Sequence, residues 1–251
     1  LKILIGFLTA LLISIAARRA KALSHSGAVA AAILGTVIFG LGGTGWAATL
    51  LGFFISSSAL SRLLSGEKTS LNEKFSKDST RDASQVFANG GIAGLMVLAQ
   101  LLFPETDWPW IGFTGALAAA NADTWSTELG VLSTKSPRLI TTGKSVERGT
   151  SGGITLTGTL ASLGGGLLIA LLLGVISLAG LTGSLVDSLL GATVQAIYLC
   201  PVCAKETEHH PTHTCGSETI LKRGWSWLNN DLVNTFCTLS GACAGILLRL
   251  L

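Results

Sequence analysis

Apolar stretches of near-bilayer length recur along this chain, and the connections between them are alternately basic and uncharged. A helix needs about 20 apolar residues to cross a bilayer core of about 30 Å. Eight stretches approach that length: 2–17, 26–42, 44–62, 84–103, 109–131, 152–176, 179–199 and 225–249. Gly40–Gly45 softens one boundary, so stretches two and three are either two short helices or one long kinked helix. With 12% charged residues and a mean hydropathy of +0.59, an ordinary soluble domain is excluded. The expected fold is all-α: one polytopic transmembrane domain over residues 1–251, an integral membrane bundle of about eight helices, within seven to nine.

Fifteen of the 17 Lys and Arg residues fall in four connections: Arg18–Lys21, Arg62–Arg81, Lys135–Arg148 and Lys205–Arg223. The connections near Gly42, Pro104–Pro109 and Gly180 carry none. The positive-inside rule places the basic loops in the cytosol and both termini opposite. Trp46, Trp108 and Trp110 would anchor one interface, and Trp225 and Trp227 the other. In the first stretch the charges follow the apolar run, which favours a membrane helix over a signal peptide. The chain starts without Met, so a few residues or a leader are expected to precede it. Net charge is +3, and the basic residues are dispersed without aromatic interleaving, which excludes nucleic acid as a partner.

Polar side chains inside apolar stretches mark candidate function, because a lone carboxylate at mid-membrane costs at least ~2.5 kcal/mol. Asp123 and Glu128 stand in NADTWSTELG, with Asn121 and Thr124 on the face of Glu128. The polar arc is wide enough that a local helix break is expected. Ser79 or Thr80 would cap the fourth helix, with Asp82 in its first turn. Asp82, Gln85 and Asn89 share one face after Arg81. Asp187 and Ser188 lie in the seventh stretch, and Asn230, Asp231 and Asn234 in the eighth. At 1.5 Å per residue, Asp231 would lie roughly 9 Å, Asp123 roughly 12 Å and Asp187 roughly 18 Å from the cytosolic end. These groups would face one cavity open to the cytosol. Lys144 and Arg148 precede Gly149, Thr150, Ser151, Gly152 and Gly153. Glycines at a helix start expose amides that suit a phosphate, and Thr150 or Ser151 would cap that helix. No GK[ST] follows, so this is not a Walker A loop.

Residues 200–223 form a cytosolic Cys/His loop, CPVCAKETEHHPTHTC at its start. Cys200, Cys203 and Cys215 with one of three histidines, His213 preferred, have the ligand chemistry of a structural Zn²⁺ site. A reducing cytosol argues against disulfides there. Cys237 and Cys243 read as packing residues.

RDASQVFANGG, NADTWSTELG, TTGKSVERGTSGG, VDSLLGATVQ and WLNNDLVN together resemble the membrane family of animal transmembrane protein 19 and the phytyl-phosphate kinase of plants and cyanobacteria. The arrangement Asp123, Glu128, Gly130, then Lys144, Glu147, Gly149 and Thr150 is also similar to phytol and dolichol kinases and to phospholipid cytidylyltransferases. The resemblance implies phosphoryl transfer from a nucleoside triphosphate, with CTP a candidate, to a prenyl monophosphate. On that reading Asp123, with Glu128 or Asp187, holds Mg²⁺. Lys144, Arg148 and the GTSGG amides bind nucleotide phosphates. Asn230, Asp231 and Asn234 orient the acceptor or a second metal. Arg81, Asp82, Asn89, Asn121, Thr124 and Ser188 complete the binding set. The expected setting is a bacterial inner membrane, or a thylakoid membrane if the source is cyanobacterial, and a homodimer is compatible with it. The alternatives are a CTP-dependent lipid cytidylyltransferase and a membrane transporter.

Overall fold

The computed structural model describes residues 1–66, 80–170 and 177–250. Lys68, Lys74 and Lys77 of the second basic connection, Ser79 as a candidate cap, and positions 171–176 of the sixth apolar stretch lie outside the described residues. The described residues form α1 (Lys2–Arg19), α2 (His25–Val37), α3 (Thr44–Leu63), α4 (Ala83–Leu102), α5 (Trp108–Gly130), β1 (Arg138–Leu139), β2 (Gly153–Ile154), α6 (Leu156–Ala170), α7 (Ser177–Thr193), β3 (Ile197–Cys200), β4 (Lys205–Thr207), β5 (Ile220–Arg223) and α8 (Asn230–Leu250). The described residues therefore form a helical bundle with two small antiparallel sheets, β1–β2 and β4–β3–β5. Among the described residues, α2 with its π-helical extension to Gly42, α4 and α8 are long and apolar enough to cross a membrane by length and composition. The lipid-like exterior extends to other helices, since Ile3, Leu4, Leu8, Leu12 and Leu160 are all exposed.

Helix α5 lies at the centre. Every residue from Ile111 to Ala122 is buried, as expected for a helix enclosed on all sides. Its neighbours are α3, α4, α6, α7 and α8. Water exclusion does not drive helices together within lipid, so small residues that permit close approach do the work. A Cβ at Gly115 would sit 2.4 Å from the carbonyl oxygen of Gly241 in α8, and one at Gly183 in α7 would sit 2.4 Å from the Ala119 Cβ. The Thr238 hydroxyl, also in α8, donates to the Ala88 carbonyl of α4 at 3.1 Å.

Several local expectations change. The Gly40–Gly45 region is a π-helical turn, Ile38–Gly42, broken by Gly43 at φ 91°, so two helices form instead of one. Trp46 is a core residue, with its ring centroid 4.9 Å from Trp110 and 4.6 Å from Phe113; it does not anchor an interface. Asp82, not Thr80, caps α4, through a reciprocal capping box with Gln85. GTSGG does not open a helix: Gly153 begins β2, and α6 starts at Leu156, where the Thr155 hydroxyl accepts from the Gly158 amide. Thr155 thus does the capping expected of Thr150 or Ser151. Helix α7 ends at Thr193, because the β-branched and aromatic residues after it join a sheet. Helix α8 starts at Asn230, because Gly224 at φ 81° and a turn closed by the Leu228 amide on the Trp225 carbonyl keep 224–229 out of the helix. Asp231 accordingly lies in the first turn of α8, not roughly 9 Å past the helix start.

The described parts of the four basic connections lie at one end of the bundle. The Arg62 guanidinium bonds the Ala20 carbonyl, and Arg81 forms a bridge with Leu23. The β1–β2 ribbon and the β4–β3–β5 sheet join through Ser151 and Glu208, 3.2 Å apart.

Gly115→Val should lower the thermal midpoint of the detergent-solubilised protein sharply, with an overpacking cost of about 1–3 kcal/mol or more. Gly91→Val on α4, where a Cβ meets nothing within 4 Å, should leave it nearly unchanged. Equal midpoints would contradict the backbone-to-backbone packing.

Candidate active site

The polar cluster of α5 begins at Asn121, one residue before its continuous buried run ends at Ala122. Asn121 is fully buried. Its amide donates to the Gly165 carbonyl of α6 at 2.8 Å, and it accepts from Ser56 of α3 at 2.9 Å. It is a clamp between three helices and does not face the cavity. From Asp123 onward the same helix, unbroken to Gly130, forms one wall of an open polar cavity of about 400 Å³. The wide polar arc needs no helix break, because α5 has protein or cavity on every side.

That cavity is lined by Asp123, Thr124, Thr127 and Glu128 of α5, by Arg81, Gln85 and Asn89 at the start of α4, and by Asp187 and Ser188 of α7. Arg148 and residues 149–153 close one side, and Asn230 and Asn234 of α8 another. Most of the residues singled out in the sequence therefore converge. Four do not. Asp82 is occupied as a cap, Asn121 as a clamp, Lys144 is exposed on the ribbon, and Asp231 stands beside the cavity-lining Asn230 without lining the cavity.

Electrostatics organise the walls. The Arg81 guanidinium donates to Ser58 at 2.8 Å and lies over the Phe53 ring, 5.8 Å from its centroid. Burial pushes it down to about 10 while the Glu128 carboxylate pulls the other way, so it remains cationic at neutral pH. Glu128 is buried and accepts from Ser61 at 2.7 Å. It acts as a counter-charge for Arg81. Arg148 is held by the Ser133 carbonyl at 2.6 Å. Asp187 presents a buried carboxylate oxygen, Oδ2, with no hydrogen-bond partner. Asp123 and Glu208 are near enough to act on it electrostatically.

The 149–153 loop is fixed by its glycines. Gly152 sits at φ 82°, and a Cβ there would lie 2.4 Å from that of Ala192 on α7. The loop thus rests directly on the end of α7, with the first turn of α6, Thr155 and Gly158, also in the cavity wall.

Sequence reasoning missed Glu208, Gln195, Ser61 and Ser65, all of which line the cavity. Glu208 belongs to the Cys/His loop and accepts from Gln195 at 2.8 Å. The available signal is the acid pair in KETEHH after CPVC, which stands among the candidate zinc ligands.

The orphaned Asp187 oxygen, with Asp123 and Glu208 nearby, fits a divalent cation in kind. The carboxylates are spread around the wall, however. Among the described residues, the ligand atoms that converge are those of Cys200, Cys203, His213 and Cys215, all within 4.8 Å of one another. Mg²⁺ is commonly held by only one or two carboxylates together with substrate phosphates, and the cavity suits that arrangement.

A family model described as integral membrane protein DUF92 matches residues 8–242. Protein PGR of Arabidopsis thaliana is 35% identical over 76% of this chain and 78% of its own length. An uncharacterized membrane protein of Methanocaldococcus jannaschii is 30% identical over 99% of this chain and 94% of its own. The chloroplastic protein VTE6 of Arabidopsis thaliana is 27% identical over 90% of this chain and 65% of its own. No solved structure matches the chain.

Asp187→Asn should raise the thermal midpoint of the metal-free protein by a few degrees, about 1 kcal/mol, since it relieves a buried unpartnered carboxylate facing like charges. A lower midpoint would mean that Asp187 is satisfied in a way this geometry does not contain.

Proposed function

Because the chain belongs to the integral membrane protein DUF92 family, we propose that it is an isoprenyl-phosphate kinase. It transfers a phosphoryl group from a nucleoside triphosphate, with CTP the candidate donor, to a prenyl monophosphate such as phytyl phosphate, giving the diphosphate. The resemblance to phytyl-phosphate kinases and the similarity to VTE6 support the reaction class.

One observation carries the reading. The polar cavity shares Arg81, Gln85 and Asn89 with an apolar pocket bounded by α1, α2, α3 and α4. A lipid phosphate needs that junction: charge for its head on one side and hydrocarbon for its tail on the other. The apolar pocket is about 70 Å³, which takes the first carbons of a chain. The remainder would run out between the small-residue helices into lipid. Arg81, at the junction, is suited to the acceptor phosphate.

Phosphoryl transfer depends mainly on positioning and charge neutralisation. Arg148 and the amides of 149–153 suit the donor phosphates, with the N-terminus of α6 adding its positive dipole end. Lys144, exposed on the ribbon, is left out of this role. Asp123 and Asp187 would hold Mg²⁺, which supplies charge neutralisation across the phosphates when bound. Ser188, Asn230 and Asn234 would orient the acceptor. An acceptor monophosphate is nucleophilic at neutral pH, so none of these residues is needed as a strong base. The alternation of basic connections supports a cytosolic opening.

Purified protein with Mg²⁺, CTP or another nucleoside triphosphate, and phytyl phosphate should yield phytyl diphosphate and the nucleoside diphosphate. Asp123→Asn should reduce kcat at least ~100-fold, as removal of one transition-state charge partner typically does. Pyrophosphate as the product would replace the kinase reading with cytidylyl transfer. Wild-type turnover by Asp123→Asn would remove this residue from the chemistry.

A further inference from the structure

The segment after α7 has a fold that its own apolar content does not explain. Between Cys200 and Cys215 the buried side chains are Cys200, Thr207 and His213, too few for a core. Two tight turns nevertheless hold the ends of the segment together. In the first, between β3 and β4, the Cys203 amide points at Cys200 Sγ, 3.4 Å away. In the second, the Gly216 amide bonds the His213 carbonyl at 2.9 Å, and Gly216 takes φ 85°.

These turns bring four ligand atoms to one point. Cys200 Sγ and Cys215 Sγ are 3.6 Å apart, and His213 Nδ1 is 3.2 Å from Cys215 Sγ and 3.7 Å from Cys203 Sγ. A tetrahedral zinc with thiolates at about 2.3 Å and an imidazole at about 2.0 Å requires edges of about 3.5–3.8 Å. The cysteines are free thiols, so no covalent bond accounts for the convergence. Geometry also selects among the histidines. The His210 ring stacks on Tyr198 with centroids 4.2 Å apart, and His209 meets His213 edge-on at 6.1 Å. His213 alone turns Nδ1 into the cluster, and its Nε2 is buried without a partner. That orphaned nitrogen leaves the cluster side as what fixes the ring.

The sheet so organised grips the cavity. Glu208, just past β4, accepts from Ser151 at 3.2 Å. Arg223, at the end of β5, donates to the Gly191 carbonyl at 2.9 Å and to the Ser151 carbonyl at 3.4 Å.

We propose that Cys200, Cys203, His213 and Cys215 bind one Zn²⁺, and that the zinc-folded sheet is a brace that holds the 149–153 loop against α7. The brace rests on the proposed function only in regarding 149–153 as a phosphate loop. Zinc is a positioning element here, about 1 ion per chain in a closed four-ligand site, with no part in bond making.

The full chain, purified in detergent without chelators from zinc-replete cells, should contain stoichiometric zinc by elemental mass spectrometry. Cys215→Ser, at an exposed ligand, should lose most of it, since even losing an outer-shell partner costs about 10–100-fold in affinity, while Cys243→Ser keeps it. Cobalt-exchanged wild type should show the visible absorption and thiolate charge-transfer bands of a tetrahedral site. A zinc-free wild type, a zinc-replete Cys215→Ser, or cobalt without thiolate bands would overturn the site. If Cys215→Ser does not accumulate, the cobalt spectrum decides alone. For the brace, chelation should speed tryptic cleavage after Arg148 several-fold. An unchanged rate in verified zinc-free protein would sink the brace and leave the metal site standing. None of these readouts requires turnover, so a failed kinase assay alongside positive results would reject the proposed function alone.

Discussion

The arrangement depends on α5 being enclosed by other helices at backbone distance. Gly115 and Gly241 let α8 approach almost to contact, Gly183 does the same for α7, and Gly165 lets α6 close over Asn121 and Trp125. Such packing keeps lipid from the interior through dispersion and shape, since lipid tails offer no hydrophobic penalty to drive it. It also sets where the cavity lies. The ring is tight from Ile111 to Ala122 and opens where α6 has not yet begun and α7 is ending. The acids of α5 fall in that opening. A carboxylate there sees protein dipoles and whatever enters from the polar end, in place of hydrocarbon.

The opening is closed by parts of the chain that are not membrane helices. The β1–β2 ribbon brings Arg148 and the glycine turn back over the end of α5, and the β4–β3–β5 sheet brings in Glu208. The bundle alone would present Asp123 and Asp187 to an open end. These two small sheets supply the amides and hydroxyls that convert it to a pocket. Neither sheet has a hydrophobic core of its own, so each depends on its attachment to α7: Gly152 against Ala192 and Arg223 on the Gly191 carbonyl.

Helix order and the identity of the polar face were legible because hydrophobic length and isolated acids are strong signals in an apolar chain. The convergence of Arg81, Asp123, Asp187 and Asn234 follows from depth and sidedness alone. Helix ends were less legible. Thr155 and Asn229 act as caps through hydrogen bonds to the amides of Gly158 and Leu232, yet each lies beside other residues with equal capping chemistry. The strand Ile197–Cys200 continues an apolar run that began as helix, and periodicity over so few residues cannot separate the two. The roles of Asp82 and Asn121 were misjudged for a common reason. A polar residue at the rim of a site and one that clamps helices beside it look alike in sequence. Only partners such as Gln85 and Gly165 distinguish them.

The charge layout of the cavity constrains how the proposed reaction would proceed. Its lining carries two guanidinium groups, Arg81 and Arg148, against four carboxylates, Asp123, Glu128, Asp187 and Glu208. Acidic side chains thus outnumber guanidinium groups in the lining. Arg81 is also partly committed to Glu128. A bare polyphosphate would meet net repulsion in a pocket of reduced dielectric, where such terms are larger than in water. Asp123 and Asp187 would hold a divalent cation that offsets this charge, leaving the amides of 149–153 and Arg148 for phosphate oxygens. On the proposed reaction, the donor would enter most readily as its metal complex. On the same reading, the acid-rich side of the lining suits a metal-bound donor and the Arg81 junction suits the lipid phosphate.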